Sequence, residues 1–322
     1  MGDDFVHLSV MPQETLDLLD LQPGATVLDG TLGGAGHSRL ILEATAPDGV
    51  LIGLDRDHDA LAHGARILAT YGSRVILRHA NFAEAPQVLA ELGIDGIDGM
   101  LLDLGVSSYQ LDQAERGFSF RADAPLDMRM DQQGGETAAD VVNTASVEEL
   151  ILIFKKYGEE RWAGKIARRI ERVRQQHPLE TTLELAELVR DAVPGGHVPA
   201  RIHPATRVFQ ALRIRVNDEL DSVARGVEQG ISLLKPGGVL AVISFHSLED
   251  RIVKNIFKHR ASPCVCPPRL PMCACGKKAD VDLLTRRGVR ASEAEIAENP
   301  RSRSAILRAV RRLDVIGPGG ES

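Results

Sequence analysis

Residues 25–37 read Ala-Thr-Val-Leu-Asp-Gly-Thr-Leu-Gly-Gly-Ala-Gly-His, and no other stretch restricts the fold as much. A short apolar run bounded by glycines reads as a buried strand. The chain from Ser38 through Arg39, Leu40, Ile41 and Leu42 reads as a helix, so strand, glycine loop and helix follow in order. Such a loop, with Gly33 and Gly36 in it, offers bare backbone N–H groups to a ligand at a helix N-terminus; a plain turn is the alternative reading of the glycines alone. Asp29 narrows the ligand. A pyrophosphate gains nothing from a neighbouring anion, whereas the ammonium and sulfonium of S-adenosylmethionine do. The glycines at 30, 33, 34 and 36 also miss the Gly-x-Gly-x-x-Gly spacing of an NAD site.

The pattern recurs downstream. Pro12–Leu19 is expected to be a short amphipathic helix ahead of the first strand. Residues 49–55 (GVLIGLD) form a second buried strand that ends in Asp55, at about the spacing where such folds place an acid for ribose hydroxyls; Asp57 is placed to cap the next helix. Residues 74–78 (RVILR) predict a third strand, followed by Phe82, which reads either as core or as a surface for an adenine ring. Residues 99–103 predict a fourth strand ending in Asp103. Asp29, Asp55 and Asp103 thus all fall at strand ends, and in an open parallel sheet the carboxyl edge is where ligands bind.

The chain of 322 residues is 43% hydrophobic and 26% charged, the composition of an ordinary globular protein. No apolar run is long enough to span a bilayer and no signal-peptide pattern opens it, so a cytoplasmic protein is expected. Residues 1–150 carry 8 Lys+Arg against 25 Asp+Glu, and residues 151–322 carry 30 against 20. An acidic half suits a cationic cofactor, and a basic half suits a polyanion such as nucleic acid.

The strand–helix alternation stops between Tyr109 and about His203. This predicts a catalytic domain built from 1–108 and 204–322, with an inserted helical domain over 109–203. Ser146-Val-Glu-Glu149, Thr181-Thr-Leu-Glu184 and Ser247-Leu-Glu-Asp250 have capping-box spacing. Arg161, Lys165, Arg168 and Arg172 recur at helical spacing opposite Trp162, Ile166, Ile170 and Val173, so a basic stripe faces away from an apolar one, as phosphate contacts or as a solvated face. One long helix is expected from Ala205 to about Leu234, then a turn at Lys235-Pro-Gly-Gly238 and a fifth strand over 239–244. Phe245 and His246 close that strand. They would suit stacking or contact to a substrate base, with a structural histidine as the alternative. Residues 279–298 read as loop, and Arg301–Arg311 as the last strand. All four cysteines, Cys264, Cys266, Cys273 and Cys275, fall within twelve positions, which reads as a four-thiolate zinc site or as reduced, redox-active thiols.

Several longer strings are more specific: Asp29-Gly-Thr-Leu-Gly-Gly-Ala-Gly-His-Ser38, Leu102-Asp-Leu-Gly-Val-Ser-Ser108, Glu115-Arg-Gly-Phe-Ser-Phe120, Pro125-Leu-Asp-Met-Arg-Met-Asp131, His203-Pro-Ala-Thr-Arg207 and Ile243-Ser-Phe-His-Ser-Leu-Glu-Asp-Arg251. Through them, from about His7 to Leu313, the chain resembles the bacterial 16S ribosomal RNA (cytosine-N4)-methyltransferase family. The resemblance implies an α/β, class I (Rossmann-like) S-adenosylmethionine-dependent methyltransferase sheet with an inserted helical domain. It implies 16S rRNA or the small ribosomal subunit as partner, and S-adenosylmethionine contacts from Ala35, Gly36, His37, Asp55, Phe82, Asp103 and Gln110. The family usually has glycine where this chain has Ala35, which a backbone contact tolerates if φ there is negative. Asp103, or a carbonyl of 104–108, is the candidate acceptor for the reacting amine.

Overall fold

The structure is a computed structural model and describes residues 8–196, 203–264, 266 and 275–314. The chain divides into two compact units, one made of residues 1–105 with 220–322 and the other of 106–219.

The first unit is a seven-stranded sheet covered by helices on both faces. Its strands are β1 (Thr26–Asp29), β2 (Val50–Asp55), β3 (Val75–His79), β4 (Ile97–Asp103), β5 (Leu234–Ser244), β6 (Val281–Leu283) and β7 (Ile306–Arg312), in the order β3-β2-β1-β4-β5-β7-β6. The first five run parallel, and β7 is antiparallel to both β5 and β6. Period-two alternation sends successive side chains to opposite faces. Leu28, Ile52, Met100, Leu102, Leu240 and Val242 join one core, and Val27, Leu51, Leu101, Ala241 and Ile243 join the other. Both cores are apolar, which is why these strands read as unbroken hydrophobic runs.

Helices α1 (Pro12–Leu19) and α2 (Gly36–Ala44) contribute Leu19, Ile41 and Leu42 to the second core, with α3 (His58–Ile67) adding Leu61 at its margin. Helix α4 (Ala85–Glu91) supplies Val88 and Leu89 to the first core.

The second unit is helical: α5 (Ser108–Asp112), α6 (Ala138–Thr144), α7 (Val147–Gly158), α8 (Ala163–Arg174), α9 (Thr182–Ala192) and α10 (Thr206–Asn217). Its core gathers Phe154, Met128, Ile166, Ile170, Leu185, Val189 and Leu212. Ser146 and Thr181 cap α7 and α9 through reciprocal capping boxes, as their spacing predicts. The boundary falls at 219 rather than 203, because α10 belongs to this helical core.

The single helix expected over 205–234 is two helices, α10 and α11 (Glu219–Leu233). Asn217 causes the break: its buried amide donates to the Met128 carbonyl at 2.7 Å and accepts from the Met130 N–H at 2.8 Å. Asp218 then takes φ +49, and Glu219 forms a two-pronged pair with Arg213 at 2.8 Å on each prong. Hydropathy alone does not register a side chain that leaves its helix to bind a loop.

In the first unit, Val223, Val227 and Ile231 of α11 and Val253 and Phe257 of α12 (Ser247–Ala261) complete the first core. The turn at 235–238 lies within β5, so pairing jumps from Leu234 opposite Ile97 to Val239 opposite Gly99. Residues 279–298 are more regular than expected. They contain β6 and a short helix, α13 (Glu293–Glu298), capped by Ser292. The last strand starts at Ile306, because Pro300–Ser304 form a 3-10 turn.

Candidate cofactor and active site

Asp29, Asp55 and Asp103 are the last residues of β1, β2 and β4. These strands are neighbours in the sheet, so the three carboxylates share its carboxyl edge. The glycine loop is stitched across all three strands. Gly30 N–H donates to Leu101 O and Leu32 N–H to Leu54 O, each at 2.9 Å. Asp103 N–H donates to Thr31 Oγ1 at 2.7 Å, and Gly33 N–H donates to Asp55 Oδ2 at 2.9 Å. A loop fixed at four points is preorganised for a ligand.

Each acid has a distinct setting. Asp29 is only 1% exposed, and its oxygens accept from Thr31 N–H and from the Ser38 hydroxyl at 3.1 and 2.6 Å. It shapes the loop and α2 with both oxygens, and burial still raises its pKa. Asp55 accepts from Gly33 and Asp57 N–H groups. Burial outweighs those bonds, and with the charges of Asp57 and Asp29 it lifts the Asp55 pKa to about 6.

Asp103 is the most perturbed. Burial, then the charges of Asp29 and Glu249, push its pKa up to about 8. Its Oδ1 is buried without a hydrogen-bond partner among the described residues, and its Oδ2 lies 3.8 Å from His37 Nε2. A buried acceptor left unpaired costs about 1–3 kcal/mol. A donor or cation supplied by a ligand removes that cost.

Ala35 corrects the expectation attached to it. Its φ is +59, in the left-handed region that a glycine enters freely and an alanine does not. As the residue ahead of α2 it has no side-chain cap to offer, so the first turn, with Gly36 and His37, presents its N–H groups to an acceptor. Phe82 opens a 3-10 turn capped by Asn81 and packs at the margin of the first core. Two glycines make its seat: a Cβ on Gly226 would collide with its ring, and one on Gly30 would lie 2.8 Å from its Cβ.

Phe245 and His246 follow β5, and the His246 imidazole serves the N-terminus of α12. Its Nδ1 accepts from Glu249 N–H at 3.4 Å, and its Nε2 stands 3.1 Å from Glu249 Oε1. Glu249, 1% exposed, accepts in turn from the N–H groups of Phe245 and His246. The capping box therefore starts at His246, one residue before the Ser247 that the spacing predicts. In the helical unit, Gln110 accepts from Ser107 N–H at 3.0 Å in the box that starts α5.

Arg161, Lys165, Arg168 and Arg172 are all exposed. Arg161 and Lys165 stand 5.3 and 5.1 Å from the centre of the Trp162 ring. Residues 106–219 carry 16 Lys+Arg against 18 Asp+Glu, so the stripe is a local feature of one face. Cys264, Cys266 and Cys275 come together, with their Sγ atoms within 4.8 Å of one another, and Cys273 lies outside the described residues.

Sequence reasoning missed four contributors. Thr31 and Ser38 hold the acids from within the glycine motif and carried no signal beyond it. Gly226 is invisible without the fold. Glu249 was legible in a capping segment but not as a charge acting on Asp103.

A parallel sheet with one antiparallel strand, β7, set between β5 and β6, and with a glycine loop and acids at its carboxyl edge, is the arrangement of a class I methyltransferase. The chain matches the MraW methylase family over residues 4–313, and it belongs to that family. Ribosomal RNA small subunit methyltransferase H of Syntrophotalea carbinolica is 67% identical over 309 residues, covering 96% of this chain and 98% of that one. The protein of that name from Geobacter sulfurreducens is 57% identical over 309 residues, covering 96% and 99%. A solved rRNA methylase from Streptococcus thermophilus aligns over 94% of each chain at 8% identity and a TM-score of 0.41. Among the described residues no helix is long and apolar enough to cross a membrane.

Proposed function

We propose that this methyltransferase moves a methyl group from S-adenosylmethionine to the exocyclic N4 of a cytosine in 16S rRNA of the small ribosomal subunit. The observation that carries this reading is the buried carboxylate cluster, in which Asp103 keeps an unpaired acceptor and a raised pKa. S-adenosylmethionine supplies an electrophilic methyl carbon on a sulfonium, and its own positive charges match the cluster.

The residues fit that cofactor. Asp55 accepts from the ribose hydroxyls, Phe82 lies against the adenine, and the uncapped start of α2 with Gly33, Ala35, Gly36 and His37 receives the amino-acid carboxylate. Asp29 holds the loop in shape, and the family resemblance adds Gln110 as a further contact. Cytosine N4 shares its lone pair with the ring, so the enzyme must hold the amine in line and relieve it of a proton. As the N–C bond forms and the C–S bond breaks, Asp103 accepts a hydrogen bond from the amine and then its proton. A carboxylate with its pKa near the working pH suits that task. Phe245 and His246 bound the place for the base, and Arg161, Lys165, Arg168 and Arg172 of the helical unit contact RNA phosphates. The zinc expected from the cysteines would serve structure and take no part in the transfer.

The test is incubation with methyl-labelled S-adenosylmethionine and small subunits lacking the modification, followed by nucleoside analysis. Label in N4-methylcytidine supports the proposal, and label on any other nucleoside overturns the acceptor.

A further inference from the structure

The methyl transfer does not use the cysteine cluster that follows α12. Cys264 and Cys266 come just after that helix, and Cys275 comes shortly before β6. The Cys275 and Cys264 sulfurs are 3.8 Å apart, far beyond the roughly 2.05 Å of a disulfide bond. Two thiolates on one tetrahedral zinc, each about 2.3 Å from the ion, stand about 3.8 Å from each other. All three sulfurs meet the wider limit of 4.8 Å.

The surroundings are built in the same way. Cys266 N–H donates to Cys264 Sγ at 3.3 Å, the kind of backbone bond that orients a thiolate ligand. The Ser262 hydroxyl donates to the Cys264 carbonyl at 2.7 Å, which fixes the first ligand's backbone. Lys277, two residues past Cys275, donates to the carbonyls of His259 and Ser262. Arg260 grips Asp280 through its Nε at 2.9 and 3.0 Å. The end of α12 and the approach to β6 are therefore already held together on both sides of the sulfurs.

We propose that Cys264, Cys266 and Cys275 bind a zinc ion that ties the end of α12 to the approach to β6. On binding, the three thiol protons pass to solvent and the thiolates coordinate the metal. The ion is structural, since soft sulfur ligands flanked by the Lys277 and Arg260 contacts suit a fixed tetrahedral centre.

The first measurement is elemental analysis of the full-length protein purified without added metal or chelator. About one zinc per chain is expected, released in step with mercurial modification of the thiols. The double variant Cys264→Ser/Cys275→Ser should lose at least tenfold in bound zinc. Because that variant can fail to fold, the wild-type protein is also stripped, reduced and titrated with cobalt(II). A thiolate-to-cobalt charge-transfer absorption saturating at one equivalent is expected, and hydrogen exchange over 275–283 should slow on metal binding while β1 and β4 stay unchanged. Zinc at trace level together with no thiolate–cobalt absorption would overturn the proposal and leave a reduced or redox-active thiol cluster. Cobalt absorption that persists at full strength in the double variant would overturn the ligand assignment.

Discussion

Replacing Asp103 by asparagine should stabilise the cofactor-free protein, and by more as the pH rises. A carboxyl with a pKa of about 8 in the fold and near the ordinary 3.8 when unfolded binds its proton more tightly in the folded state. Its favourable contribution is therefore complete below about pH 4 and is lost as the pH climbs through about 8. One pKa unit corresponds to about 1.4 kcal/mol, so Asp103 lowers stability by several kcal/mol, on the order of 3, between about pH 5 and pH 8. The asparagine side chain keeps the shape without the charge. Asp55, with its pKa raised to about 6, remains in both proteins and largely cancels in the comparison. Urea unfolding followed by circular dichroism at about pH 5, 6, 7 and 8 reads the difference, and the gap between variant and wild type should widen by about 1 kcal/mol per pH unit. A gap independent of pH would refute the assignment of a proton to buried Asp103.

Other substitutions probe the rest of the site. Ala35→Gly should change stability by less than about 1 kcal/mol, since relief of left-handed strain is offset by a lost methyl and a freer unfolded chain; Ala35→Val should cost about 2 kcal/mol or more by thermal unfolding. In Gly226→Ala the new Cβ displaces the Phe82 ring, so calorimetry should show about tenfold weaker S-adenosylmethionine binding, near 1.4 kcal/mol. Arg168→Glu with Arg172→Glu should raise KM for small subunits and flatten its salt dependence by about one to two charges, while cofactor affinity stays unchanged. Unaltered KM in that double variant would remove α8 from the RNA interface.

Much of the sheet was legible because its strands are buried on both faces. The runs ending in Asp29, Asp55 and Asp103 give β1, β2 and β4 within about two residues at their starts, and capping boxes at Ser146 and Thr181 mark real helix starts. What escaped depends on contacts distant in sequence. Asn217 breaks a helix by bonding the backbone of Met128 and Met130, and β6 spans only Val281–Leu283 and forms only against β7. Within the site, the sequence shows three acids at strand ends but not their inequality. Asp29 is saturated by Thr31 and Ser38, whereas Asp103 keeps an oxygen without a partner among the described residues. The sign of φ at Ala35 is likewise set by the loop's anchors, and the amino-acid string does not encode it alone.

Binding of the cationic cofactor at the buried carboxylates is tested most directly by calorimetric titration of S-adenosylmethionine at about pH 7 in buffers of differing ionisation enthalpy, which counts the protons exchanged. If binding ionises Asp103, which is mostly protonated at neutral pH in the free protein, about one proton leaves per cofactor bound. The Asp103→Asn variant should then bind more weakly and release almost none. Tight binding without proton release by the wild-type protein, or equal release by the variant, would contradict the account.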